Sequence, residues 1–209
     1  MVQNEDVIIR EYNDLPRIKK RDLDGYVKFE ILQDIPINLD DFIIKYKVLS
    51  LGKNKMDLQV ILFPKEIEKI CSDIAKSLNI KQKYLNMNFD IVQKLIDREK
   101  INLKSNNCIV LENLDDVIIL NSVRNKKVYT SSVLSKEKNT DYIISLLDKE
   151  KPLFYYGKED EFITQIKENG FKVDKLNTRL NINYLCPNKI VDTFDNKHLV
   201  NIGVVIWYE

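Results

Sequence analysis

LDGYVKFEILQDIPINLDDFIIKYKVL (residues 23–49) sets a helix, its stop and a strand in immediate succession. Leu23, Tyr26, Val27, Glu30 and Ile31 recur at helical spacing, so Asp22–Gln33 is predicted as a helix with Asp22 as its N-cap. Pro36 lies just past the predicted end and cannot continue the helix. Beyond it Phe42, Ile44, Tyr46 and Val48 alternate with their neighbours and so share one face of a strand, the face that can pack on the preceding helix.

Upstream, VIIREY (7–12) is β-branched, flanked by polar residues and strand-like. Downstream, FIIKYKVL (42–49) and MDLQVILF (56–63) are joined by a short stretch containing Gly52 and Asn54, the pattern of an antiparallel hairpin. Pro64 opens a second amphipathic helix to about Leu78, with Ile67, Ile70, Cys71, Ile74 and Leu78 expected as its buried stripe. Residues 1–80 therefore read as a small α+β lobe.

The remainder, 81–209, reads as a second lobe with a mixed sheet. A short strand is expected at 80–85 and a helix at 89–99, followed by three strands at 107–111, 117–122 and 127–131 with short polar connections, a meander. Helices at 140–148 and 159–169 alternate with strands at 153–156 and 171–174, and a last helix is expected at 197–208. The fold class is α/β (α+β), with helices flanking mixed sheets.

Composition narrows the function classes. A chain of 209 residues, 44% hydrophobic and 31% charged, can bury a core. Thirty-three basic against 32 acidic residues leave a formal charge of +1, so the net field attracts neither nucleic acid nor an anionic membrane, and a charged partner must be met locally. Cys71, Cys108 and Cys186 are odd in number and lack CxxC spacing, which argues against a disulfide framework or zinc knuckle and suits a reducing cytoplasm. The N-terminus lacks the pattern of a secretory signal, and the apolar stretch 199–208 is about half of the ~20 residues a membrane-spanning helix needs.

The run 23–49 resembles a segment of the type IV pilus assembly protein PilM family. There a helix with an aromatic-Glu pair leads into Ile-Pro, an acidic turn and a strand with Tyr; here these are Phe29, Glu30, Ile35, Pro36, Asp40, Asp41 and Tyr46. VIIREYNDLP (7–16) is similar to what precedes that helix, and the likeness is good over 7–80 and weaker beyond. The resemblance implies an actin-like, ribonuclease H-like bilobed fold. It also implies a non-enzymatic cytoplasmic scaffold, peripheral at the inner face of the cell membrane, that binds the tail of a PilN-like membrane protein and links it to pilus assembly platform or motor proteins. An edge strand of the 42–63 hairpin, with Phe42, Ile44, Tyr46 and Val48, is the candidate for gripping an extended tail.

The same resemblance implies departures. The family's first phosphate hairpin lies upstream of the matched region, so an N-terminally abbreviated fold is expected, and the 131–141 segment is short for the helical insertion usual there. Actin-like ATPases use glycine to let backbone N–H groups approach phosphate and an aspartate to position metal or water. Aligned with the family's Val-Asp-Ile-Gly, IVLEN (109–113) puts Leu111 at the acid, Glu112 beside it and Asn113 at the glycine. A leucine coordinates nothing, and the extra carboxylate repels phosphate by about 1 kcal/mol even across water. Where the adenosine-side loop carries Gly-Gly, this chain has Tyr155, Tyr156 and Gly157; the two rings either stack on a base or pack at a helix start. No cofactor is expected, with ATP binding disfavoured. The competing readings are an active ATPase of the actin and Hsp70 superfamily, or the cytoplasmic part of a type II secretion platform protein.

Other candidates have plainer accounts. RIKKR (17–21) can touch phosphate or an anionic bilayer, or be a solvated loop before the helix. His198 has no Cys or acidic pair at ligand spacing, and Asp40-Asp41, Asp115-Asp116 and Glu159-Asp160-Glu161 sit at turns or helix starts, where carboxylates gain from free N–H groups. GxSxG, HExxH, GxxxxGK[ST] and GxGxxG are all absent, and neither catalytic nor metal-ligating residues are expected. Cys71 and Cys108 lie in apolar runs and read as buried thiols.

Overall fold

The computed structural model describes residues 7–80, 87–137, 140–178 and Leu199. The chain divides into two compact units, one within residues 4–85 and one within 86–209. The strand expected at 80–85 and the helix expected at 197–208 lie, but for Ile80 and Leu199, outside the described residues, as do His198 and Cys186.

In the first unit β1 (Ile8–Pro16) precedes α1 (Lys20–Asp34), and β2 (Phe42–Leu51) and β3 (Lys55–Pro64) form the hairpin. The sheet runs β1-β3-β2, antiparallel throughout, leaving β2 at an edge. Leu23, Val27 and Ile31, four residues apart, are the buried side of α1 and pack with Met56, Leu58, Val60 and Leu62 of β3. Phe42, Ile44 and Tyr46 lean on this cluster from β2. The helix stops where Pro36 biases Ile35 to extended backbone, at φ −133° and ψ 123°.

Two helices differ from the sequence expectation. Asp22 does not cap α1: the helix begins earlier, Lys19 stands at the cap without a side-chain bond, and Asp22 falls in the first turn. The stripe of α2 (Lys65–Ser77) is not buried: Ile70, Ile74 and Leu78 are 52%, 54% and 66% exposed and Cys71 is only half-buried. α1 covers the face of β3 that carries Met56, Leu58, Val60 and Leu62, while the apolar stripe of α2 is left uncovered among the described residues of its unit; its periodicity specifies a helix but not a neighbour.

The second unit begins with α3 (Asn88–Asp97) and the short β4 (Ile101–Asn102). β5 (Cys108–Asn113), β6 (Val117–Arg124) and β7 (Lys127–Ser135) form the expected meander; α4 (Thr140–Ser145), β8 (Leu153–Gly157), α5 (Glu161–Glu168), β9 (Val173–Lys175) and β10 (Asn177–Thr178) follow. The main sheet runs β7-β6-β5-β8-β9, with β8 parallel to both β5 and β9. α4 is shorter than the predicted 140–148, and β4 and β10 form a two-residue pair that the sequence pattern does not signal.

Alternation along β5 divides its side chains between two faces. Ile109 and Leu111 join Leu153, Tyr155 and the inner sides of α4 and α5 in one core cluster. Cys108, Val110 and Glu112 point the other way, toward the side on which Asn88 of α3 meets Glu112. α3 is held to the sheet by Gln93, whose carbonyl oxygen accepts from Val128 N at 2.6 Å.

Candidate functional site

The segments singled out as phosphate-side and adenosine-side loops lie against each other. β5 and β8 pair in parallel with Leu111 opposite Tyr155, Glu112 opposite Tyr156 and Asn113 opposite Gly157, and all six are buried. Leu111 and Tyr155 face the α4–α5 core, with Tyr155 packed among Phe162, Ile163 and Ile166.

Glu112 points into the protein rather than toward the turn, a difference from the sequence expectation that it would confront a ligand. Its carboxylate accepts a hydrogen bond from Asn88 Nδ2. The Tyr156 hydroxyl lies near the same carboxylate without a bond of good geometry. Burial pushes the Glu112 carboxyl up to about 7, against the opposing pull of the Asn88 bond, and burial followed by the Glu112 charge raises the Tyr156 phenol well above its ordinary value.

Asn113 ends β5 and closes the turn against the β8–α5 connection. Its Nδ2 donates to Lys158 O at 2.8 Å and to Asp160 Oδ1 at 2.9 Å. Asp160 caps α5, accepting from Phe162 N at 3.1 Å, and its other oxygen meets Lys136 Nζ at 2.7 Å. Burial alone would raise the Asp160 carboxyl, but Lys136 and Asn113 outweigh it and hold it below the usual carboxylate range. On the outer side of the turn Lys158 Nζ pairs with Asp115 at 2.6 Å.

The chemical consequence is direct. A phosphate cradle needs free N–H groups, a helix start open to an anion, and cations without partners. Here the α5 start holds a carboxylate of the chain itself, and Lys136 and Lys158 each hold an aspartate. Gly157, at φ +96°, serves the backbone, since a Cβ there would lie 2.3 Å from the Asn113 carbonyl oxygen. Asp160 was legible as a helix-start acid; nothing in the sequence marked Lys136, more than 20 positions away, as its partner, nor Asn88 as the partner of Glu112. Among the described residues no group of three or more His, Cys, Asp or Glu could hold a metal ion.

The other candidate residues lie in the first unit. Phe42, Ile44 and Tyr46 line a groove of about 770 Å³ between α1 and β2, with Val27, Leu39 and Lys65 on its other walls. The Tyr46 hydroxyl donates to Asp24 across it. Val48 lies on a second groove, of about 530 Å³, nearer the start of α1.

A five-stranded sheet with a meander at one side and two parallel strands added across its first strand, order 3-2-1-4-5, is the arrangement of each half of actin-like and ribonuclease H-like proteins. A solved PilM–PilN type IV pilus biogenesis complex matches 96% of this chain and 76% of its own chain, at a TM-score of 0.69 and 12% identity. The fold is actin-like. The cytoplasmic domain of EpsL, an inner-membrane component of the type II secretion system of Vibrio cholerae, matches 96% of this chain and 71% of its own, at a TM-score of 0.56 and 11% identity. A Bacteroides thetaiotaomicron protein with an actin-like ATPase fold gives a TM-score of 0.49 at 10% identity, covering 87% of this chain and 69% of its own. No protein-family model matches the sequence, and no curated protein matches it. Among the described residues of this actin-like chain no helix is long and apolar enough to cross a membrane.

Proposed function

We propose that the chain is a non-enzymatic scaffold of a type IV pilus or related secretion apparatus, PilM-like in its role. It docks the cytoplasmic tail of a PilN-like inner-membrane protein and relays that contact to the assembly platform and motor, lying at the inner face of the membrane. The observation that carries this reading is the match of 96% of the chain to a structure that is itself a PilM–PilN complex. The groove along edge strand β2 suits an extended tail, which can pair with the strand while Phe42, Ile44 and Tyr46 receive alternate side chains. The Asn113–Asp160–Lys136 network supports the absence of ATPase activity, since a nucleotide phosphate would have to displace internal bonds.

The test is a calorimetric titration of the full chain with a peptide of the cytoplasmic tail of a PilN-like membrane protein. Saturable binding is expected, weakened roughly tenfold by Tyr46→Ala. Absence of binding at high micromolar peptide counts against docking. The EpsL likeness favours a second reading, the cytoplasmic part of a type II secretion platform protein; binding of a secretion-system tail in preference to a pilus tail would select it.

A further inference from the structure

We infer that the end of the first unit formed by Arg17–Arg21 and the β2–β3 turn is a docking surface for an anionic phospholipid bilayer. Arg17, Lys19, Lys20, Arg21, Lys53 and Lys55 are all exposed there, though the chain as a whole is nearly neutral. The fold brings the two segments together, with Arg17 N donating to Asn54 O at 2.9 Å. Arg21 pairs with Asp22 at 3.4 Å and Lys55 with Asp14 at 2.9 Å, and Asp57 accepts from Asp14 N at 2.9 Å; six cations against these three carboxylates leave the end positive.

Beneath these cations lies the 530 Å³ groove, lined by Ile18, Leu23, Tyr46, Val48, Leu51 and Met56 and rimmed by Arg17, Lys19 and Lys20, with no carboxylate in its lining. Val48 and Leu51 are 42% and 58% exposed, so apolar side chains project beside a basic rim. That arrangement matches the boundary layer of a bilayer, where long cationic side chains reach headgroup phosphates and apolar ones enter the acyl edge. Lys19 to Arg21 also stand at the positive end of α1, where cations cost stability that neighbouring anions offset. An acidic protein partner is the poorer fit: the cations are long and exposed, three of them border the apolar groove, and a fluid layer of phosphates can meet them without a fixed geometry.

This surface shares Tyr46 with the tail groove but not the residues substituted in its test, and the test contains no tail, so the two proposals fail independently. The full chain is sedimented with vesicles of phosphatidylcholine alone or mixed with phosphatidylglycerol, over a range of salt. Binding is expected only with phosphatidylglycerol, falling as salt rises. Lys19→Glu/Lys20→Glu is expected to lower partitioning more than about tenfold, and Leu51→Ser to lower it while keeping the salt dependence. Lys69→Glu/Lys172→Glu, which alters net charge equally, leaves binding in place. Equal binding to uncharged vesicles, undiminished binding by the Lys19/Lys20 variant, equal loss in the Lys69/Lys172 variant, or capture of a polyglutamate peptide without vesicle binding would each overturn the assignment; circular dichroism verifies that the variants fold.

Discussion

Asn113 and Gly157 stand opposite each other on β5 and β8, so close that a Cβ on Gly157 would meet the Asn113 carbonyl oxygen at 2.3 Å. The glycine allows two strands to meet, and its positive φ sends the chain toward α5. Gly157→Ala must shift backbone rather than a side-chain end, so it is expected to destabilise the chain by about 3 kcal/mol, measured by denaturant unfolding. A change below about 0.5 kcal/mol would show that the strands part easily and that the turn is open to a ligand.

Asp160 serves as helix cap, partner of Lys136 and acceptor from Asn113 at once. Asp160→Ala is expected to cost about 3 kcal/mol and Lys136→Met about 2, with a double variant less harmful than their sum. The folded Asp160 carboxyl lies below its ordinary range, so its stabilisation is complete above that range and is lost as pH falls through the folded value. The cost of Lys136→Met should therefore be greatest near neutrality and shrink as pH falls through the folded value, measured by denaturant unfolding followed by circular dichroism.

Glu112 acts in the opposite sense. Its carboxyl is raised from 4.5 to about 7 in the folded chain, so the folded state holds the proton longer than the unfolded one. Stability from this group is greatest below pH 4.5, declines as pH rises through 7 and then levels off, a loss on the order of 3 kcal/mol. Glu112→Gln keeps an acceptor for Asn88 and removes the buried charge. It should flatten the decline and raise the denaturation midpoint at pH 8, with little change at pH 4; equal shifts at both values would contradict this assignment.

What could be read from the sequence follows the range of the forces involved. Local signals, the period of α1, Pro36 and the alternation along β2, β5 and β6, predicted the order of the elements, because each is written within one segment. The start of α1 is not legible in the sequence, because Asp22 has the chemistry of a cap while nothing nearby fixes which residue takes that place. The α2 stripe reads as amphipathic from its own residues, but whether it is buried depends on what packs over it, which those residues do not encode. The turn at Asn113 shows the same limit. Its lack of glycine was visible at once, whereas its ties to Lys158, Asp160 and, through Asp160, to Lys136 arise only when three separated segments meet.

Nucleotide binding by the intact chain is the measurement that bears most directly on a turn closed by its own side chains. Titration with Mg-ATP, read by calorimetry and thermal shift, should give no saturable heat and no stabilisation. A ligand at 100 times its Kd would stabilise by about 2.7 kcal/mol; a shift of that size, abolished by substitution at Asn113 or Gly157, would contradict the account.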